Sequence, residues 1–308
     1  MKNFNIKLWT FSVSALFVAG IFNVLDKGFV MIPKQGFEKN VVKFQYPKNQ
    51  ILTKVHINDK GPFNFFIDTG IHPSAISLPL AKKIGLNLGP KAGNVGGFGR
   101  QKIPYYRTTI KKLKIGEMEV SNLPTVATEM SHLETTGLKI DGILGYSFLK
   151  DRVTSINYKR KEITFSDQLP ENYLKDTPLD ELVKFPLRLA GGKIPMIPNL
   201  TINEKVVEAW LDTGSSRSFG LLNQEALRLG LTEIELADGE GKGIGARGEF
   251  EVRKFRASRM SIGTFNQDSV VGFGHNLRMQ NVVGNPFLEK YRLTLDYVNK
   301  MVYLELNK

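Results

Sequence analysis

Two stretches decide how this chain folds: Phe66-Ile67-Asp68-Thr69-Gly70 and Trp210-Leu211-Asp212-Thr213-Gly214. Each begins with apolar residues, as a short buried strand does, and runs directly into the same Asp-Thr-Gly triplet. A single Asp-Thr-Gly would prove little, because Asp and Gly are common in turns. Two copies, each placed after an apolar strand in a chain of 308 residues, indicate a repeated structural unit.

Four further segments recur in the same order around the two triplets and with nearly constant separation. Any one of these matches is unremarkable, but an ordered set indicates an internal duplication. Because there are only two copies, they are expected to form a pseudo-symmetric pair of lobes rather than a solenoid. The matching pairs are 57–60 with 202–205, 81–86 with 226–231, 113–116 with 260–263, and 143–149 with 282–288.

Each copy has the pattern of a mainly β structure. Short apolar strands at 63–67 and 206–211 follow polar turns and lead into the triplets. A short helix is predicted some residues after each triplet, with Ser77 as the N-cap in copy one and Asn223 in copy two. Both helices are expected to end at a glycine in the left-handed conformation. These glycines are Gly85 and Gly230.

The N-terminus has the pattern of a targeting segment. Lys2 and Lys7 precede a run without charge from Leu8 to Leu25. As a helix this run would be about 27 Å long, just short of a typical hydrocarbon core. We therefore expect an N-terminal hydrophobic helix that anchors the protein in the inner or plasma membrane, with the body extracytoplasmic, that is periplasmic. A cleaved signal peptide and a secreted body are the alternative.

Composition excludes several chemistries. The chain has no cysteine, which excludes disulfides, thiolate metal sites and a cysteine nucleophile. Its four histidines lie far apart in sequence, so helical metal-binding spacing is absent and no metal or other cofactor is expected. The net charge is +12, but the basic runs have strand-like spacing and nothing matches a nucleic-acid module, so we expect no nucleic-acid partner.

The duplicated pattern resembles the aspartic proteases of the retropepsin-like and pepsin-like type, in a single chain. In that family a loop with Asp-Thr-Gly comes from each lobe, and a later segment of two hydrophobic residues and Gly crosses beneath it. Residues 141–145 and 282–284 match that segment. The resemblance covers roughly residues 50–308. It implies a mainly β fold with two pseudo-symmetric β-barrel lobes and a cleft between them, preceded by the N-terminal helix.

The resemblance and the composition shifts also divide the chain into segments. The expected order is a signal anchor or signal peptide, a linker that could act as a propeptide, a first lobe, an inter-lobe connection and a second lobe. Their predicted bounds are 1–27, 28–50, 51–167, 168–184 and 185–308.

In chemical terms the resemblance implies an aspartic endopeptidase. Asp68 and Asp212 would be the catalytic residues: two adjacent carboxylates share one proton, so that one activates a water molecule and the other donates to the scissile carbonyl. Supporting residues are implied around this pair, with threonine hydroxyls bonding across the pseudo-dyad and glycines allowing close backbone approach. They are Thr69, Gly70, Thr213, Gly214 and Ser215.

Two glycine-rich segments lie at matching places after the predicted helices, 93–99 and 239–245. They suit mobile flaps that close over a site, and they are equally compatible with plain glycine-rich hairpins. The flap candidates are Gly96, Gly97, Phe98, Gly243, Ile244 and Gly245.

The first triplet departs from the family pattern in the residues that follow it. Ile71 replaces a small residue and His72 follows it; we expect Ile71 to pack within the lobe and His72 to face solvent, with an impaired site as the alternative. Two functional classes stay open. One is a membrane-anchored endopeptidase, active as a monomer, whose partners are protein or peptide substrates and the membrane. The other is a catalytically inactive binding module of the cell envelope.

Overall fold

The structure is a computed structural model that describes residues 9–10, 40–134, 138–175, 177–237, 241–277 and 279–307. The predicted N-terminal helix lies outside these residues except for Trp9–Thr10, which form a short strand, β1. Strand β1 runs parallel to residues 243–244 of the second lobe. Within the described part of the chain no helix is long and apolar enough to cross a membrane.

The first lobe is a closed barrel of six strands. Its strands follow the order β3-β4-β9-β5-β8-β7, and β7 pairs back with β3 to close the ring, while β6 lies on the outer edge of β7. The elements are β3 (Leu52–Ile57), β4 (Lys60–Ile67), β5 (Ser74–Ser77), α1 (Leu78–Lys83), β6 (Lys91–Asn94), β7 (Pro104–Ile115), β8 (Met118–Thr128), β9 (Gly142–Leu144) and α2 (Tyr146–Leu149).

The second lobe repeats this arrangement. Its ring has the order β14-β15-β22-β16-β21-β20, closed by pairing of β14 with β20, and β13 and β17 lie at the edges. The elements are β13 (Arg188–Ala190), β14 (Ile194–Ile202), β15 (Lys205–Leu211), β16 (Phe219–Leu222), α3 (Asn223–Arg228), β17 (Thr232–Ile234), β18 (Lys242–Gly245), β19 (Gly248–Glu251), β20 (Arg253–Ile262), β21 (Phe265–His275), β22 (Val282–Val283) and α4 (Asn285–Leu288).

A six-stranded sheet joins the lobes. It contains the strands that close each copy, in the order β12-β24-β23-β10-β11-β2, with β10 and β23 antiparallel at its centre. The described end of the predicted linker, from residue 40, contributes β2 to this sheet, and the end of the predicted connection contributes β12. The elements are β2 (Val41–Lys43), β10 (Val153–Asn157), β11 (Glu162–Ser166), β12 (Leu182–Pro186), β23 (Tyr291–Asp296) and β24 (Met301–Leu306).

The two helices after the triplets begin differently. The Ser77 hydroxyl accepts a hydrogen bond from the Leu80 N–H, so the predicted cap of α1 is confirmed. The predicted cap of α3 is wrong: Asn223 is already helical, and its side chain donates to Asn276 instead. The predicted glycine ends are confirmed, because both glycines lie in the left-handed region. These are Gly85 and Gly230.

The prediction of a mainly β chain with two barrel lobes is confirmed. Strands β4 and β15 are apolar at their ends and buried there, and each is flanked in parallel by the short hydrophobic strand of the later segment, β9 or β22. A shared hydrophobic core runs through both barrels. The two triplets therefore leave rigid strands at equivalent places and meet between the lobes.

Candidate active site

The backbone of each triplet is held by the strand that passes beneath it. The Asp68 N–H donates to the Leu144 carbonyl in β9 at 3.0 Å, and the Asp212 N–H donates to the Val283 carbonyl in β22 at 2.9 Å. The segments predicted to cross beneath the loops do so in both copies. Because both strands are buried and paired on both sides, the start of each loop has little freedom.

The structure brings the two predicted catalytic residues together. Both Asp68 and Asp212 are fully buried. The Gly70 N–H donates to Asp68 Oδ1 at 2.7 Å, and the Gly214 N–H donates to Asp212 Oδ1 at 2.9 Å. A Cβ atom on Gly214 would lie 2.3 Å from the Asp68 carboxyl carbon. The Asp68 carboxyl therefore packs directly against the loop that carries Asp212, and only glycine leaves room for it.

The two threonines link the loops reciprocally. Thr69 Oγ1 accepts from the Thr213 N–H at 3.0 Å and donates to the Leu211 carbonyl at 2.6 Å. Thr213 Oγ1 accepts from the Thr69 N–H at 3.1 Å and donates to the Ile67 carbonyl at 3.0 Å. Four buried hydrogen bonds thus cross between the lobes at the site. They are consistent with the role that the resemblance implied for these hydroxyls.

Ser215 supports its loop rather than a carboxylate. Its N–H donates to the Asp212 carbonyl at 3.1 Å, and its own carbonyl accepts from the Asn285 N–H at 3.0 Å. Its hydroxyl lies 3.4 Å from the carbonyl and the amide nitrogen of Arg217. Ser215 therefore closes a tight turn, and its small polar side chain fits that turn.

The residues after the first triplet are built into the lobe. Ile71 is buried in an apolar cluster, as expected, and a Cβ on Gly145 would lie 2.4 Å from its Cγ2 atom. The expectation that His72 faces solvent holds only in part, since the residue is half-buried and its ring packs edge-on against Tyr146 with the centroids 5.4 Å apart. Burial, together with the positive charges of Lys193 and Lys150, lowers the pKa of His72 to about 4. The imidazole is therefore neutral near pH 7.

The predicted flap candidates contact each other across the molecule. In the first lobe they lie in the loop 95–101, and in the second they lie in strand β18 of the β18–β19 hairpin; we call this loop and hairpin together the clasp. The Arg247 N–H donates to the Phe98 carbonyl at 2.8 Å, and the Arg247 carbonyl accepts from the Gln101 N–H at 2.9 Å. Both segments belong to hairpins, because loop 95–101 lies between the antiparallel strands β6 and β7, and β18 pairs with β19.

Glycines make this contact possible. Gly99 has φ +107°, and a Cβ there would lie 2.2 Å from the Arg247 carbonyl oxygen. A Cβ on Gly245 would lie 2.4 Å from the Phe98 Cβ. Real side chains cannot approach so closely, so these glycines allow two backbones to touch. The two segments are therefore glycine-rich hairpins whose backbones contact each other, and their movement as flaps stays a prediction.

Each side of the clasp also inserts apolar side chains into the other lobe's clusters. Phe98, 1 % exposed, stacks on Phe250 with a centroid distance of 5.3 Å and meets the His275 ring edge-on at 4.9 Å. In return, Ile244 and Ala246 belong to an apolar cluster of the first lobe. The remaining candidates, Gly96, Gly97 and Gly243, are half-buried or buried within the same segments. The clasp thus joins the lobes at a further place, besides the triplets and the six-stranded sheet.

Two residues at the site were missed from the sequence. Asn285 follows the hydrophobic segment of copy two, and its side-chain nitrogen donates to the Thr213 carbonyl at 2.7 Å. Tyr158 donates its hydroxyl hydrogen to Asn285 Oδ1 at 2.8 Å. The available signal was the duplication, because Tyr158 recurs as Tyr297 with the same separation as Gly145 and Gly284. Within the described residues, no cluster of three or more His, Asp or Glu side chains could hold a metal ion.

Comparison with known proteins identifies the repeated unit. The aspartyl protease family matches twice, at residues 53–148 and 199–284, which together make up more than half of the chain. A solved structure that the chain resembles is basic 7S globulin from soybean, with 11 % sequence identity over 86 % of this chain and 94 % of that one and a TM-score of 0.47. A search among curated proteins found no match.

Proposed function

Since this chain belongs to the aspartyl protease family, we propose that it is an aspartic endopeptidase whose Asp68 and Asp212 carboxyls hydrolyse peptide bonds together. The observation that carries the proposal is the reciprocal threonine bonding, which holds the two Asp-Thr-Gly loops of one chain against each other. A second chain is then not needed to complete the pair. The substrate is a protein or peptide bound in extended form.

The chemistry follows from two carboxyls in one buried place. Like charges close together cannot both ionise easily, so the pair holds one proton over a range of pH. The ionised carboxyl takes a proton from a water molecule as that water attacks the scissile carbonyl carbon. The protonated carboxyl donates to the carbonyl oxygen, giving a tetrahedral diol without a covalent enzyme intermediate. Proton transfer to the amine nitrogen and cleavage of the C–N bond complete the reaction.

Entry of a substrate requires the clasp to separate. Both carboxyls are fully buried, and the contacts of Phe98 and Arg247 join the lobes. Enclosed sites of this kind open and close during turnover in many enzymes. The same burial favours a second candidate function, a catalytically inactive binding module that keeps the family fold in a closed form.

We further propose that residues 1–27 anchor the protein in the inner or plasma membrane with an extracytoplasmic body. The support is the basic start and the uncharged run to Leu25. Membrane insertion of this run would break the pairing of Trp9 and Thr10 with the clasp, so anchoring and pairing are alternative states. Protease treatment of spheroplasts tests the location: an intact body behind a sealed inner membrane would contradict it.

Cleavage of a mixed peptide library by the purified full-length protein tests the proposed activity. We expect a bell-shaped pH dependence, because turnover needs one protonated and one ionised carboxyl. Asp68→Asn and Asp212→Asn are each expected to remove cleavage, with at least a thousandfold loss typical of removed catalytic groups. Cleavage that survives in both variants would exclude this mechanism. No cleavage at any pH by a folded protein would favour the binding module.

A further inference from the structure

One buried side chain reaches the Asp212 loop from outside the triplets. Asn285 is the first residue of α4 and is fully buried. Its Nδ2 group donates to the Thr213 carbonyl and to the Asn49 carbonyl, both at 2.7 Å. Its Oδ1 atom accepts from the Tyr158 hydroxyl at 2.8 Å. These partners fix the orientation of the amide, since two carbonyl oxygens face one end and a hydroxyl donor faces the other.

The contact acts on Asp212 through a single peptide group. The Thr213 carbonyl and the Gly214 N–H belong to the same rigid, planar peptide unit. The Gly214 N–H donates to Asp212 Oδ1 at 2.9 Å. A donor on the carbonyl end of this unit holds its plane and polarises it, which makes the N–H a stronger donor. Asn285 therefore favours the form of Asp212 that accepts hydrogen bonds most strongly, the carboxylate.

Tyr158 keeps Asn285 in place. Its side chain is buried, and this burial, followed by the negative charges of Glu289 and Asp212, raises the pKa of the phenol well above its ordinary value. The phenol therefore stays protonated and can only donate to Asn285 Oδ1 with its hydrogen.

The first lobe lacks this arrangement. Tyr146 occupies the position of Asn285, and its N–H donates to the Ile71 carbonyl at 3.0 Å, as the Asn285 N–H does to Ser215. Tyr297 occupies the position of Tyr158, and its ring lies 6.0 Å from that of Tyr146. Within the described residues its buried hydroxyl has no hydrogen-bond partner. The duplication thus has a polar support on one side and an aromatic one on the other.

We propose that Asn285, held by Tyr158, is a positioning residue that stabilises the ionised form of Asp212. Its consequence for catalysis rests on the proposed function: loss of Asn285 would raise the pH at which the carboxyl pair releases its first proton. The titration itself does not require turnover, so it can be measured on the protein even if no substrate is cleaved.

The experiment compares Asn285→Leu, Tyr158→Phe and the matched control Tyr297→Phe in the full-length protein. Carboxyl ¹³C chemical shifts of labelled aspartates report the titration of Asp212, and kcat/KM against pH reports catalysis. We expect the Asn285 and Tyr158 variants to shift the Asp212 titration upward by about half a pH unit, a threefold gain in proton affinity. The acid limb of kcat/KM should move equally, and the Tyr297 variant should move neither.

The two variants and the two readouts separate the possible results. If Asn285→Leu does not fold, Tyr158→Phe still tests the proposal, because it removes only one oxygen atom and with it the hydrogen bond that fixes the orientation of the Asn285 amide. An unchanged titration in a folded Tyr158→Phe protein, or an equal shift in Tyr297→Phe, would overturn the proposal. A shifted titration without turnover in the parent protein would support the positioning role and contradict the proposed function instead.

Discussion

The two Asp-Thr-Gly loops have nearly the same backbone and very different surroundings. In both, the glycine N–H binds the carboxylate and the threonine hydroxyl binds the opposite loop. Beside the first loop lie Ile71 and Tyr146, which pack by their apolar surfaces. Beside the second lie Ser215 and Asn285, which form hydrogen bonds. The backbone contacts are the same in both loops, whereas the side chains that pack beside the loops are apolar in the first copy and hydrogen-bonded in the second.

The largest expected effect concerns the apolar support. Ile71→Ala should lower the free energy of unfolding by about 3 kcal/mol, because it leaves a cavity in a closely packed cluster. The matching change on the polar side, Ser215→Ala, should cost about 1 kcal/mol. Urea unfolding measures both. Higher peptidase activity in Ile71→Ala than in the parent protein would show instead that Ile71 obstructs the site.

The threonine bonds should matter equally in both loops. Thr69→Val and Thr213→Val each remove a hydroxyl with two buried partners, so each should lower the free energy of unfolding by about 2 kcal/mol. Thr→Ser at the same positions retains the hydroxyl and serves as the control. Urea unfolding of the four variants tests the symmetry. A difference of more than about 1 kcal/mol between the two valine variants would contradict equivalence of the loops.

The two sides of the clasp should differ in their response to acid. Burial lowers the pKa of His275 to about 4. Burial also lowers the pKa of His132. However, its Nε2 atom lies 3.2 Å from the Ala246 carbonyl oxygen and can donate a hydrogen bond to it whether the ring is neutral or protonated. The Phe98 side, next to His275, is therefore the acid-sensitive one.

The pH dependence of the free energy of unfolding follows from whether the folded or the unfolded protein binds the histidine proton more readily. Above the ordinary histidine pKa near 6.5, His275 is neutral in folded and unfolded protein and costs nothing. Between about pH 6.5 and pH 4 the unfolded chain binds the proton more readily than the folded protein, so the free energy of unfolding decreases as the pH is lowered. His275→Gln should remove about 2 kcal/mol of this loss between pH 7 and pH 4.5; the exposed His56→Gln is the control. Unfolding curves with identical pH dependence in parent and His275→Gln would contradict this effect.

The smallest effect on global stability is expected from a glycine of the clasp. Gly99→Ala should separate loop 95–101 from the hairpin, because its Cβ would meet the Arg247 carbonyl, at a global cost of about 1 kcal/mol. Gly85→Ala is a matched control, since Gly85 also has positive φ but open space around it. Amide exchange at Gln101 and Arg247 should accelerate at least tenfold in the first variant only. Unchanged exchange rates at both amides would contradict the prediction, because they would mean that the clasp accommodates the added Cβ without separating.

Local patterns predicted local structure well where the physical cause lies within a few residues. The Ser77 cap and the left-handed Gly85 and Gly230 depend on hydrogen bonds within one helical turn. The predicted Asn223 cap is wrong because Leu222, the last residue of β16, is the N-cap, and the Asn223 side chain donates to Asn276, which directly follows β21. His72 is half-buried for a similar reason, because Tyr146, far along the chain, packs against its ring.

The sequence by itself determined the duplication, the mainly β class and the choice of the two aspartates as site residues. Strand periodicity and the repeated triplets are local patterns, visible within a few consecutive residues. Only the tertiary structure decided how the loops are supported and closed. The pairing of Tyr158 with Asn285, and of Phe98 with Gly245, joins residues from different copies. Their distances depend on how two barrels pack together, and no local pattern of hydrophobicity or turn residues encodes that packing.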